Sequence, residues 1–162
     1  MGQEINIRAA VDGDLEQLAA WSASVQQLHV AARPDVFKTA DPQALRDLLR
    51  RRLAESTARI WIAETAGVVV GYAVTVDKHQ EENVYAYARS WREIEEIAVR
   101  AEHRRRGVAG ALLRHIEIAT QADGISVVEL NTWSFNNAAR SSFERLGFVS
   151  KNIRFERRTR RS

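Results

Sequence analysis

Apolar and polar positions along this chain change period several times, and each change marks an element. Ile5-Asn6-Ile7-Arg8 alternates apolar and polar residues, as a half-buried strand does. Leu15, Leu18, Ala19 and Val25 then recur near helical spacing, and Asp12 or Asp14 can cap a helix running to about His29. Ala31–Phe37 reads as irregular, because Pro34 lacks a donor and restricts its predecessor. Asp41 caps a second helix, with Pro42 at its first position and Leu45, Leu48, Leu49 and Leu53 on one face. Arg59–Thr65 and Val68–Val76 read as strands joined by a tight turn at Ala66-Gly67. Lys78–Ser90 is polar, contains Tyr85 and Tyr87, and reads as a loop. Trp91–Val99 is a strand, and Gly107–Gln121 is a helix with Val108, Leu112, Ile116 and Ala119 on one face. Val127–Trp133 is a further strand, and Asn136–Leu146 a short helix stopped by Gly147. Ile153–Arg157 alternates again and reads as a closing strand.

The predicted order, β α α β β β α β α β, is that of a mixed α/β domain. Its later half alternates strand and helix, which favours some parallel pairing. The 162 residues suit one domain over 1–157, followed by a basic tail at 158–162. No apolar run approaches the roughly 20 residues that span a bilayer. Met1–Ile5 lacks the pattern of a secretory signal, and Asn6 stands where myristoylation of Gly2 wants Ser or Thr. The chain has no cysteine, which excludes disulfides, thiolate metal sites and a cysteine nucleophile, and fits a reducing cytoplasm. Its four histidines show no metal-ligand spacing, so no metal is expected. The net charge is +3, concentrated at Arg104–Arg106 and in the tail. A solvated chain end accounts for the tail better than a nucleic-acid contact does, since no nucleic-acid motif accompanies it.

Arg104-Arg105-Arg106-Gly107-Val108-Ala109-Gly110 follows a strand and opens a helix. A helix start presents backbone N–H groups and a partial positive charge, and both favour a bound phosphate. Gly107 has no side chain to block a ligand and can take positive φ, and the arginines add donors and charge. The turn is not a Walker A loop, since no Gly-Lys-Ser/Thr follows, nor a dinucleotide fingerprint, since only two glycines occur. The competing reading is a basic surface turn capped by glycine; the strand before and the amphipathic helix after count against it.

Arg104-x-x-Gly107-x-Ala109 resembles the Arg/Gln-x-x-Gly-x-Gly/Ala signature of the GNAT superfamily of acetyl-CoA-dependent N-acetyltransferases. Ile94–Val99 resembles the strand before that signature, and Asn136–Phe148 resembles the family's Asn-x-x-Ala…Tyr-Glu-x-Leu-Gly-Phe motif. The resemblance covers Ile5 to about Phe155. It implies a central mixed, mostly antiparallel sheet in which two parallel strands splay apart, with pantetheine in the gap. It implies that Arg104, Arg105, Arg106, Gly107, Val108, Ala109 and Gly110 hold the pyrophosphate of acetyl-CoA, mostly through backbone. Backbone groups of the segment Ile97-Ala98-Val99 would pair with pantetheine. Asn136 would hydrogen-bond the cofactor arm, or act as a helix N-cap, and Ala139 and Phe143 would pack beside the cofactor. Many members carry Tyr where this chain has Phe143, and Phe has no proton to give a departing thiolate.

Amine acetylation needs a neutral nucleophile, so a base must take a proton from the ammonium form. The strand offers Glu95 first, then Glu96, then Glu93. Strict alternation puts Glu93 and Glu95 on the face of Ile97 and Val99, and Glu96 on the other. The Glu-Glu pair also resembles a Glu-Asp pair of polyamine acetyltransferases that attracts cationic amines. The competing reading is that all three are solvated strand charges. The expected activity is direct acetyl transfer, in a ternary complex, to an amine of a small cationic metabolite or a peptide or protein. The alternative is a catalytically weak acyl-CoA-binding or regulatory module. Partners are acetyl-CoA and the amine, without membrane; many relatives are dimers, so a homodimer is expected.

Overall fold

The continuous apolar runs in the middle of the chain become strands covered on both faces. A computed structural model describes residues 4–159, in one unit that ends at Asn131 and a second that opens at Thr132. The first unit contains β1 (Asn6–Ala9), α1 (Leu15–Ala32), α2 (Pro42–Ala54), β2 (Ala58–Thr65), β3 (Val68–Gln80), β4 (Arg89–Val99), α3 (Val108–Ala122) and β5 (Val128–Leu130). The five strands lie in chain order in one sheet. Every pairing is antiparallel except β4 with β5, which is parallel. This is the mixed α/β fold the pattern predicts.

Ile60, Ile62, Tyr72 and Val74 turn one sheet face toward Leu15, Leu18 and Ala19 of α1 and Leu49 of α2. On the opposite face α3 buries Val108, Leu112, Leu113 and Ile116. There the His115 ring meets the edge of Trp61 at 4.6 Å. Two-sided cover explains why residues 60–63 and 69–74 carry no polar side chain but the Tyr72 hydroxyl. Ala66 and Gly67 make the expected tight turn, with φ of 50° and 76°, a left-handed pair that suits a two-residue hairpin.

Several boundaries differ from the sequence expectation. Asp41 caps α2 as expected, accepting from the N–H groups of Gln43 and Ala44. Asp14 precedes α1 but does not cap it; its carboxylate accepts from Arg8 (2.8 and 2.9 Å) and from the Val11 N–H at the start of the preceding 3-10 turn. The paired guanidinium outweighs the helix-end donors. Leu48 is exposed, whereas Leu45 and Leu53 pack at the core margin. Lys78, His79 and Gln80 are not loop: they pair with Trp91, Ser90 and Arg89. β2 stops pairing at Val76, so this stretch projects as a two-stranded ribbon. Water reaches both its sides, which is why its sequence lacks apolar alternation. β5 is shorter than the Val127–Trp133 expected.

The second unit holds α4 (Asn137–Arg145). The Asn136 side chain accepts from the Ala139 N–H at its start. At its end Gly147 takes φ 91°, its N–H donates to the Glu144 carbonyl, and the Phe148 N–H donates to the Phe143 carbonyl. That is a Schellman closure, and the contact of the Phe143 and Phe148 rings (6.0 Å) is its usual apolar clasp. Ile153–Arg157 forms no strand, and Ile153 and Phe155 are exposed. Period-two alternation makes a strand only where a neighbour takes up its backbone groups.

Candidate functional site

The chain leaves β4, passes a short 3-10 turn at Ala101–His103, and enters α3 through Arg104–Gly107. Arg105 and Gly107 take φ of 58° and 84°, and these two left-handed residues turn the chain into the helix. A Cβ at Gly107 would meet nothing within 4 Å, so glycine is required there by conformation rather than crowding. The first helical bond runs from the Ala111 N–H to the Gly107 carbonyl (2.9 Å). The N–H groups of Val108, Ala109 and Gly110 precede it, and no side chain caps them. Arg104, Arg105 and Arg106 are exposed around this helix start.

β4 and β5 pair from Arg92↔Val128 to Ile94↔Leu130, and the pairing ends there. Beyond that point β4 continues to Val99 beside β3 alone, so its outer edge has no strand partner among the described residues. The Arg100 N–H donates to the Val70 carbonyl (2.9 Å), which fixes the phase of the ladder. Hydrogen-bonded and non-hydrogen-bonded pairs alternate along an antiparallel ladder. Ala98 and Glu96 therefore turn their backbone groups to β3, and Val99 and Ile97 turn theirs to the open edge. Consistent with this, the Val99 carbonyl accepts from Arg104 Nε (3.3 Å), which ties the turn to that edge.

Glu96 lies on the face that alternation predicts, but Glu93 and Glu95 do not. The β3–β4 register steps from Val74↔Glu96 to Thr75↔Ile94, which leaves Glu95 as the extra residue of a bulge. One inserted residue reverses the parity of all that follows, so Glu93, Glu95 and Glu96 share the α1–α2 side, while Ile97 and Val99 sit opposite Ala73 and Gly71 on the α3 side. Glu95 lies 2.8 Å from Arg52 of α2 and 3.5 Å from Lys78. Glu96 accepts from Ser22 Oγ of α1 (3.1 Å) through one oxygen and from the Tyr72 hydroxyl through the other. Burial, reinforced by the Glu96 charge, holds the Tyr72 hydroxyl well above the ordinary phenol range, so it stays a donor. Glu93 takes weaker contacts from Trp91 Nε1 (3.3 Å) and Asn131 Nδ2 (3.4 Å).

Arg92 fixes the far end of α3. Its buried guanidinium donates to both oxygens of Asp77 (2.7 and 2.9 Å), to Asp123 (2.6 Å) and to Thr120 (3.3 Å). Asp123 is the C-cap residue of α3, and its hydrogen bond from Arg92 holds its carboxyl below the ordinary range.

The family model described as Acetyltransferase (GNAT) family matches residues 22–148. The chain belongs to the GNAT acetyltransferase family. Solved structures share the GNAT fold of this chain. A point mutant of the BH1408 protein from Bacillus halodurans superposes with a TM-score of 0.90 at 19% identity, over 95% of this chain and 99% of that one. Aminoglycoside N-acetyltransferase AAC(6')-Iy, in complex with CoA, gives 0.75 at 20% identity, over 99% and 97%. A transcriptional regulator from Bacillus halodurans C-125 gives 0.73 at 16% identity, over 96% and 100%. No curated protein matches the chain. Likeness at this identity carries the fold, and the fold hosts more than one function.

The turn at Arg104–Gly110 opens α3, the backbone of Ile97 and Val99 faces the outer edge of β4, and that of Ala98 faces β3. Asn136 is a helix N-cap. Phe143 closes the end of the same helix. Sequence reasoning missed Ser22, Tyr72, Arg52 and Lys78 around the two carboxylates, and the Arg92 cluster. Each of these pairs residues from different elements, so no local pattern marks them. Among the described residues, no group of three or more His, Asp or Glu is arranged to hold a metal, and no helix is long and apolar enough to cross a membrane.

Proposed function

We propose that this GNAT chain transfers an acetyl group from acetyl-CoA directly to an amine, in a ternary complex. The carrying observation is the juxtaposition at one end of β4: an uncapped helix start beside a strand edge that has lost its parallel neighbour. A pyrophosphate and an amide-bearing arm need those two features. The N–H groups of Val108, Ala109 and Gly110 suit the pyrophosphate, with Arg104, Arg105 and Arg106 adding charge. The outward backbone groups of Ile97 and Val99 suit the pantetheine amides. Asn136, Ala139 and Phe143 are assigned to the cofactor by motif match.

The amine nitrogen attacks the thioester carbonyl carbon, the carbon–sulfur bond breaks, and CoA departs as thiolate. The proton lost by the ammonium acceptor passes to a carboxylate, directly or through water. Glu95 is the first choice, because it is the exposed residue of the bulge and a cationic amine can displace Lys78 from it. Glu96 is second, because both its oxygens already accept from hydroxyls. Phe143 has no proton to return, so water protonates the thiolate. The acidic bulge supports a cationic acceptor, a small metabolite or a peptide or protein amine. Thiol release from acetyl-CoA across an amine panel tests the proposal, and release no faster than hydrolysis with every amine contradicts it.

Phe143 also favours a second reading, an acyl-CoA-binding or regulatory module with weak chemistry. Acetyl-CoA binding with residual turnover that Glu95→Gln leaves unchanged supports that reading.

A further inference from the structure

We infer that Gly71 is a positioning residue for the phosphate-binding turn, the bare strand position on which α3 seats its first two turns. The inference rests on the reading of Arg104–Gly110 as a pyrophosphate site.

A Cβ placed on Gly71 would lie 2.8 Å from Val108 Cγ1, 3.2 Å from the Ala98 carbonyl oxygen and 3.3 Å from Leu112 Cδ1. Val108 is the first residue of α3, and Leu112 stands one turn further on. Gly71 has no left-handed φ and pairs in register with Ala63 and Val99, so space and not conformation requires the glycine. The Ala98 carbonyl belongs to the ladder with β3 and has no freedom to yield. The displacement forced by a methyl group at Gly71 therefore falls on Val108 and Leu112, the start of the helix.

That start is where small displacements matter. The N–H groups of Val108, Ala109 and Gly110 leave the helix there, and the outward backbone of Val99, opposite Gly71, is tied to the same turn through Arg104. Gly71 thus sets the spacing between the helix start and the open strand edge, the two features one ligand must bridge. The Arg92 cluster holds the other end of α3, so a push at Gly71 tilts the helix start rather than sliding the whole helix. Alanine at this strand position also reduces unfolded-chain freedom, so lost ligand affinity and lost stability need not go together.

The test is equilibrium binding of acetyl-CoA and of S-acetylpantetheine, which lacks the pyrophosphate, to wild type, Gly71→Ala, Val108→Ala and the double variant. Gly71→Ala is expected to lose about tenfold in acetyl-CoA affinity, the size of roughly one lost charge-assisted hydrogen bond, and nothing for S-acetylpantetheine. Removing the Val108 methyl groups relieves the clash, so the double variant should bind acetyl-CoA as Val108→Ala does. Unchanged acetyl-CoA binding by Gly71→Ala overturns the inference, as does an equal loss for both ligands or a double variant no better than Gly71→Ala. Wild type that binds both ligands equally overturns the pyrophosphate reading itself, and the inference with it.

Discussion

The turn at Arg104–Gly110 and the bulge at Glu95–Glu96 lie on the same strand-to-helix segment, yet they are built from different materials. The turn works mainly through backbone: two left-handed residues, an uncapped helix start, and exposed arginines that add charge, with Arg104 also tying the turn to the Val99 carbonyl. The bulge works through side chains whose partners come from α1, α2 and β3. A backbone site tolerates side-chain loss and fails when its conformation is blocked. A side-chain site fails when one functional group is lost, and its supporting hydroxyls add a stability cost. The proposed division of labour follows, with cofactor binding assigned to the turn and proton transfer to the bulge.

The largest expected effect breaks the bulge alone. Glu95→Gln should lower kcat by about a hundredfold or more, the usual worth of a general base, while acetyl-CoA binding stays unchanged. Next is the converse. Gly107→Val puts a β-branched residue at φ 84° and should weaken acetyl-CoA binding about thirtyfold, through roughly 2 kcal/mol of left-handed strain. Its kcat at saturating acetyl-CoA should stay near wild type. Glu96→Gln leaves a buried hydroxyl without an acceptor, and thermal or urea unfolding should register a loss of about 1–3 kcal/mol. Single Arg105→Ala or Arg106→Ala changes should weaken binding only about two- to threefold, increasingly masked by salt, because an exposed charge contributes little beside the backbone donors.

Acid sensitivity sharpens the same contrast, since it reports on pairs outside both sites. Hydrogen bonds from Arg8 and Arg92 hold the Asp14 and Asp123 carboxyls below the ordinary range. Their folded pKa lies below the unfolded one, so the stability they contribute is full above the ordinary carboxylate range and is lost as pH falls through the folded values. Asp14→Asn should therefore flatten the acid limb of a pH–stability profile and leave acetyl-CoA binding near neutrality unchanged.

What could be read from the sequence follows the same division. The turn was legible because its requirements are local: a glycine at positive φ, a strand before it and an amphipathic helix after it. The N-cap role of Asn136 and the stop at Gly147 were legible for the same reason. The faces of Glu93 and Glu95 were not, because a bulge is a property of two strands in register and leaves no mark on one of them, whereas Glu96 keeps the face that alternation from Ile97 predicts. The ribbon at Lys78–Gln80 was hidden because neither of its sides is buried in a core. The alternation at Ile153–Arg157 misled, since alternation records a capacity for pairing and not a partner. Tyr72 and Ser22 sit on different elements far apart in sequence, and only the Glu96 carboxylate between them gives them a shared role.

Amine-dependent thiol release from acetyl-CoA, measured on wild type and Glu95→Gln together with equilibrium acetyl-CoA binding, tests the division of labour most directly. The account expects transfer to a cationic amine by wild type, and a loss of about a hundredfold in Glu95→Gln at unchanged binding. Turnover and binding that fall together, or a transfer rate that Glu95→Gln leaves intact, would contradict it.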